Sequence, residues 1–153
     1  MKLTNTQNVK ATKSGMTLLE LTVVILVLLS LISILFIGAR AWKKGSDRAA
    51  SILQIRNVQQ AVRSYSNMNG KNAGDTDADL RTEIFGAGKF IEKDPTAGAH
   101  PAGSNFSYKI AEPTTIPDIG SLYMAVEGAA ADEESEPTVG VDYMPKEGTY
   151  GDW

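Results

Sequence analysis

The sequence predicts an α+β protein in which one long N-terminal helix, apolar in its first half and amphipathic in its second, packs on a small antiparallel β-sheet of about three strands. Residues 16–39 form a run of 24 whose sole charge is Glu20. Apolar side chains then recur at Ile52, Ile55, Val58, Val62 and Tyr65, one stripe of a 3.6-residue repeat. Further on, residues 106–110, 122–126 and 139–143 read as three short strands.

The first apolar run is long enough to span a bilayer. Lys2, Lys10 and Lys13 make the segment before it polar and basic, and between Leu21 and Ile37 only Thr22, Ser30 and Ser33 interrupt the apolar residues. A carboxylate inside such a helix costs about 2.5–3.5 kcal/mol on insertion scales unless it is partnered, so Glu20 calls for a partner. A cleaved secretory signal would explain the basic start and the small-x-small triplet Ala39-Arg40-Ala41. Its apolar region, however, is normally about 7–15 residues and carries no acid. An ordinary single-span anchor accounts for the length and leaves Glu20 without a reason. Arg40, Lys43, Lys44 and Arg48 follow the run while three lysines precede it, so the flanking charges do not orient it.

The helix is expected to continue past the apolar run. Leu53 and Ala61 lie beside the stripe, while Arg56, Gln59, Gln60 and Arg63 are expected on the outward faces, and Asn69-Gly70 is a suitable stop. A helix over residues 16–69 would extend about 80 Å at 1.5 Å per residue. Gly38 and Gly45 weaken it locally, each by about 1 kcal/mol relative to alanine.

From Lys71 the composition shifts to glycine, aspartate and alanine, the mark of a linker followed by smaller elements. Asp75, Asp77 and Asp79 alternate like the start of a calcium loop, but Leu80 and Gly86 stand where that loop needs glycine and glutamate. Thr76, Asp77 or Asp79 is better read as the cap of a short helix that turns Leu80, Ile84 and Phe85 to the core. Phe90, Ile91 and the turn at Asp94-Pro95 would bridge this helix to the sheet. His100, among Gly98, Pro101 and Gly103, reads as a solvated loop residue. Proline-bearing residues 112–120 and acidic residues 128–137 separate the strands, which a simple antiparallel meander would connect.

Composition excludes several classes. With no cysteine there is neither a disulfide nor a Cys-His pair, and no glycine-rich phosphate loop or zinc spacing occurs. The chain carries 15 Lys+Arg and 18 Asp+Glu, and without Lys2, Lys10 and Lys13 the balance becomes −6, a poor match to nucleic acid. The sequence therefore points away from an enzyme.

The join Gly15-Met16-Thr17-Leu18-Leu19-Glu20, set at the head of a spanning-length helix, resembles the N-terminus of type IV pilins and of the pseudopilins of type II secretion. The resemblance is detailed over residues 16–68 and schematic beyond. It implies a leader of residues 1–15, removed by a prepilin peptidase between Gly15 and Met16, and N-methylation of Met16. It also implies a transmembrane and filament-core segment at 16–41 and a globular pilin-like domain at 42–153. Glu20, the fifth mature residue, would pair with the Met16 amine of a neighbouring subunit, with Thr17 part of the same assembly segment. The implied partners are the peptidase, identical or homologous subunits, an inner-membrane assembly platform and membrane lipid. The precursor would be single-pass in the bacterial inner membrane with its domain outside the cytoplasm, passing then to an extracellular pilus or a periplasmic pseudopilus.

Two further likenesses concern the second half. The order Asp94-Pro95, a glycine-rich loop, then Ser107-Tyr108 is similar to a stretch of the major pseudopilins, as is the ending Gly148-Thr149-Tyr150-Gly151-Asp152-Trp153. Those proteins hold calcium near the C-terminus, which makes Asp142 and Asp152, then Glu147, the candidate ligands, with backbone carbonyls completing the shell. The missing cysteines also match the pseudopilins, whereas many pilins close a C-terminal loop with a disulfide. The proline that many pilins carry in the apolar half is absent here, and Gly38 lies near its position. The alternative to a filament subunit is a membrane-anchored periplasmic binding module, tethered by a single span.

Overall fold

The computed structural model describes residues 15, 17–128, 143–146, 148–151 and 153. The layout is α+β: a long helix α1 (Leu18–Asn69), a short helix α2 (Leu80–Ile84), one 3-10 turn (Pro95–Ala97), and strands β1 (Phe106–Lys109) and β2 (Ala125–Gly128). The chain divides into two compact units between Arg40 and Ala41.

In the first unit the large apolar side chains of α1, Leu18 to Ile37, are 44–81% exposed. This helix is long and apolar enough to cross a membrane. Its few hydroxyls bond to its own backbone: Thr22 Oγ1 donates to the Leu19 carbonyl at 2.9 Å, Ser30 Oγ to Val27 at 2.7 Å and Ser33 Oγ to Leu29 at 2.8 Å. None of these hydroxyls then asks for water, as an apolar surrounding requires.

In the second unit the expected stripe is the floor of the core. Ile55, Val58, Val62 and Tyr65 are buried with Ala61 in one cluster with Leu80, Ile84, Phe85, Tyr108, Ile116, Tyr123, Met124, Val126 and Tyr143, while Ile52, at the start of the stripe, is half-buried. Leu53 departs from the expectation, at 58% exposed. The helix ends where the sequence places it. Gly70 takes φ +62°, and the Lys71 amide donates to the Ser66 carbonyl at 2.9 Å, closing a Schellman turn that a residue with a Cβ would strain.

α2 turns Leu80 and Ile84 inward as expected, but its cap works differently. Asp79 holds the N-cap position without a side-chain capping bond; instead Asp77 Oδ1 accepts the Asp79 amide at 3.1 Å. The preceding loop is tied across to residues 114–116 through Asp77 N to Thr114 O and Ile116 N to Asp75 O. These bonds seat Ile116 with no exposed surface.

The two strands pair antiparallel, with Tyr108 opposite Val126 and both pointing inward. At the end of the ladder Phe106 faces Gly128, where an added Cβ would lie 2.6 Å from the Phe106 ring. Glycine there lets the ring lie flat across the neighbouring strand. The second strand starts at Ala125 rather than at Leu122 because a helix side chain takes the ladder's place. Gln59, expected on an outward face, is 1% exposed and donates Nε2 to the Ser121 carbonyl at 3.0 Å while its Oε1 accepts the Tyr123 amide at 2.9 Å. Of the third expected strand, residues 139–142 lie outside the described residues, and Tyr143 has 3-10 rather than strand conformation.

Gln59 thus plugs two backbone groups that no strand reaches. Gln59→Leu, of similar size, should lower stability by about 1–3 kcal/mol because the buried Tyr123 amide and the part-buried Ser121 carbonyl both lose their partner. Gln60→Leu, one residue on and exposed, should stay within about 0.5 kcal/mol of wild type. Denaturant titration followed by circular dichroism checks both, and equal midpoints for the two variants would contradict the role given to Gln59.

Candidate functional site

Of the residues singled out by the N-terminal pattern, Thr17 and Glu20 come together at the head of α1. Thr17 is the N-cap: its carbonyl accepts the Leu21 amide at 3.2 Å, and its Oγ1 accepts the Glu20 amide at 3.3 Å. Glu20 reaches back, its Oε2 accepting the Thr17 amide at 2.7 Å and the Thr17 hydroxyl at 3.0 Å. This is a reciprocal capping box, in which two helix-end donors that would otherwise be orphaned are satisfied by side chains. The carboxylate also sits where the helix dipole favours negative charge, typically by about 0.3–1 kcal/mol when exposed.

Gly15 has no steric reason to be glycine: a Cβ there meets nothing within 4 Å, and Gly15 is not among the glycines with positive φ. Met16 lies outside the described residues, as do Asp142, Glu147 and Asp152, the candidate calcium ligands. Among the described residues no group of three or more His, Asp and Glu side chains is placed to hold a metal ion. The aspartates of the early loop do other work. Asp75 Oδ2 accepts the Asn72 amide at 2.6 Å. Asp77 Oδ2 accepts the Tyr65 hydroxyl at 2.7 Å, with Lys71 Nζ 3.5 Å away. That hydrogen bond, then burial, pushes the Tyr65 phenol up to about 12, and the same bond holds the Asp77 carboxyl below its usual range.

Asp94 organises the turn before the sheet. Its Oδ1 accepts the Thr96 amide and hydroxyl at 2.9 and 2.7 Å, and its Oδ2 accepts Arg81 Nε and Nη2 at 3.2 and 2.7 Å. Burial works against the charge, but the bonds from Arg81 and Thr96 outweigh it and keep the carboxyl below its ordinary range.

A polar cluster that the sequence did not disclose lies inside the second unit. His100, expected in solvent, is 3% exposed and packed among the tilted or edge-on rings of Phe106, Tyr108 and Tyr143, with ring centroids 4.7–5.6 Å away. Its Nδ1 accepts the Ala102 amide at 3.1 Å, which places the hydrogen of the neutral ring on Nε2, 3.1 Å from Ser51 Oγ. The Ser51 hydroxyl in turn donates to the Tyr143 carbonyl at 2.8 Å. A serine next to a histidine suggests a nucleophile and its base. Here Ser51 has no exposed surface and its hydrogen is committed to a carbonyl, so the pair ties three chain segments together. Ser51 falls four residues before Ile55 on the buried stripe, and that spacing is a signal from which its burial could have been read. His100 offers no such signal.

The last described residue is held by α1. Arg63 donates Nη1 to Pro117 O at 2.8 Å, Nη2 to Asp118 O at 3.0 Å and Nε to Trp153 O at 3.2 Å. The Arg56 guanidinium lies 5.2 Å from the Trp153 ring centre, a favourable cation–π arrangement. Both arginines, expected to face outward, therefore fasten the end of the chain to the helix. A cavity of about 300 Å³ beside residues 115–118 is lined by Glu112, Asp118 and Tyr123 among others, without a nucleophile paired to a base. No family model, curated protein or solved structure matches this chain.

Burial of the His100 ring holds its pKa below 6.5, with Asp47 opposing. Above pH 6.5 the ring is neutral in both folded and unfolded chains, so its contribution is fully present there. As pH falls below 6.5 the unfolded chain takes up the proton first, and stability drops by at most about 1.4 kcal/mol per pH unit until the folded-state value is reached. Stability curves of wild type and His100→Gln, measured between neutral and mildly acidic pH, should converge as pH falls. Parallel curves would show that His100 does not titrate against the fold.

Proposed function

We propose that this chain is a structural subunit of a type IV pilus or of a type II secretion pseudopilus, made as a precursor and assembled through its N-terminal helix. The observation that carries the reading is the capping box of Thr17 and Glu20 at the head of a helix whose apolar side chains are uncovered. Two features support it. Glycine at position 15 answers no need of the described residues, which agrees with a requirement imposed by a peptidase that must admit a small side chain at the cut. Both bonds from Thr17 also fall on one oxygen of Glu20, Oε2, which leaves Oε1 as an acceptor for the Met16 amine of a neighbouring subunit.

In this reading the basic leader stays in the cytoplasm, the helix spans the inner membrane and the domain faces outward. Cleavage after Gly15 creates the Met16 amine, which is N-methylated. Helices then pack side by side, joined by the assembly platform into a surface pilus or a short periplasmic pseudopilus. An amine buried in the filament core without its carboxylate would be left uncompensated, a loss of about 3–5 kcal/mol per broken pair. The Glu20 pair therefore selects the stagger between subunits as well as holding it. The domain in this scheme is a structural wall with no catalytic part.

Mass spectrometry of the mature protein should find a chain that begins at Met16 and carries one added methyl group, and Gly15→Leu should retain the leader. A mature chain beginning at Met1 or Trp42 would remove the proposal. Glu20→Ala should insert in the membrane at least as well as wild type, since an acid has left an apolar helix, while filament yield falls severely. Glu20→Gln, which keeps shape but not charge, should also be impaired. Wild-type filament yield from both variants would instead favour a tethered monomer.

A further inference from the structure

The exposed turns of α1 just past the apolar stretch carry a second pattern that filament assembly leaves without a role. Trp42 is 79% exposed. Lys43, Lys44 and Arg48 are exposed around it, Arg40 precedes them, and Asp47 is the one acid in residues 40–48. Lys43 Nζ pairs with Asp47 at 2.9 Å, and by formal charge residues 40–48 hold four bases against that one acid.

Helix geometry says where this belt falls. The apolar residues from Leu18 to Ile37 amount to about 30 Å of helix at 1.5 Å per residue, the thickness of a bilayer's hydrocarbon core. Trp42 comes five residues later, about 7.5 Å farther along, at the depth of the headgroups. An indole with an apolar body and one N–H donor is suited to that layer, as are lysine and arginine side chains whose stems lie in hydrocarbon and whose charges reach phosphate. The remainder of the domain carries the opposite charge, with six Lys+Arg against sixteen Asp+Glu in residues 70–153. An anionic surface would attract the belt and repel the rest.

From the exposed Trp42 ring, the surplus of bases around it and their spacing from the apolar stretch, we infer that residues 42–48 bind the headgroups of anionic phospholipids in the leaflet on the domain side. This rests on the membrane-spanning reading of α1. The bound lipid anchors the subunit at a fixed depth, and it offsets the repulsion among bases that follow one another on a single helix. A second copy of the chain, meeting the belt with acidic residues, is the competing occupant.

The test uses the full chain with Trp153→Phe, which keeps an aromatic ring near Arg56 and leaves Trp42 as the sole indole. It is reconstituted in phosphatidylcholine vesicles containing either brominated phosphatidylglycerol or brominated phosphatidylcholine at equal fraction, and quenching of Trp42 reports which lipid surrounds it. Brominated phosphatidylglycerol should be preferred by about five-fold or more, the factor that one base near an anionic surface contributes. The preference should vanish in Lys43→Gln/Lys44→Gln/Arg48→Gln and shrink in high salt. Equal quenching by both lipids in the wild-type belt would overturn the inference while leaving the span intact. So would a preference that survives loss of the three bases, or salt-sensitive crosslinking between copies without a lipid preference. Absence of quenching by either lipid would instead remove the spanning reading on which the inference stands.

Discussion

A ribbon of two four-residue strands is too small to be stable alone in water, so the second unit depends on one dry face of α1. Ile55, Val58, Val62 and Tyr65 give α2, the 114–124 segment and the sheet a common surface to cover. Polar side chains on or beside that face then fix how the cover lies. Ser51 reaches His100 and the Tyr143 carbonyl, Gln59 fits the backbone at 121 and 123, and Arg63 gathers the carbonyls of residues 117, 118 and 153. Apolar burial supplies most of the driving force, but it is non-directional. The hydrogen bonds have direction, and an unpaired partner in a low-dielectric core is penalised. The face therefore specifies one arrangement as well as favouring compactness.

The first unit follows the opposite logic. Its hydroxyls bond to their own helix and, among the described residues, its large apolar side chains are left exposed, a surface that suits lipid or other helices. Glu20 is compatible with both because its charge is already partly met at the helix start, where Thr17 supplies an amide and a hydroxyl. A carboxylate deeper in the same helix would have no free N–H groups to accept, since those occur only in the first turn. In the proposed filament the same carboxylate bonds to its own helix end with one oxygen and to a neighbour's amine with the other. Capping and assembly are then two uses of one group.

Much of this was legible in the residues. The apolar run, the stripe from Ile55 to Tyr65, the stop at Asn69-Gly70, the inward Leu80 and Ile84 and the first strand all follow from local periodicity or from backbone freedom at glycine. Thr17 and Glu20 were singled out through a family resemblance, and the capping box that they form, closed by residues three apart, emerged only with the structure. Other features were not legible. Gln59 and Arg63 read as outward residues by helical phase, yet both reach backbone groups more than 50 positions away. The second strand was displaced toward Ala125 because Gln59 occupies the amide and carbonyl that a longer ladder would have used.

His100 marks the boundary most clearly. Its neighbours in sequence are glycine, alanine and proline, the composition of a solvated loop, and nothing local says otherwise. Its burial comes from Phe106, Tyr108 and Tyr143 closing around the ring and from Ser51 meeting it across 49 positions. By itself the sequence determined which stretches are helical, the apolar stripe of the long helix from Ile55 to Tyr65 and which stretch is long and apolar enough to cross a membrane, because these depend on neighbours a few residues apart. Only the tertiary structure decided which polar groups belong inside. Their satisfaction depends on donors and acceptors brought from distant positions, and packing alone sets where those lie.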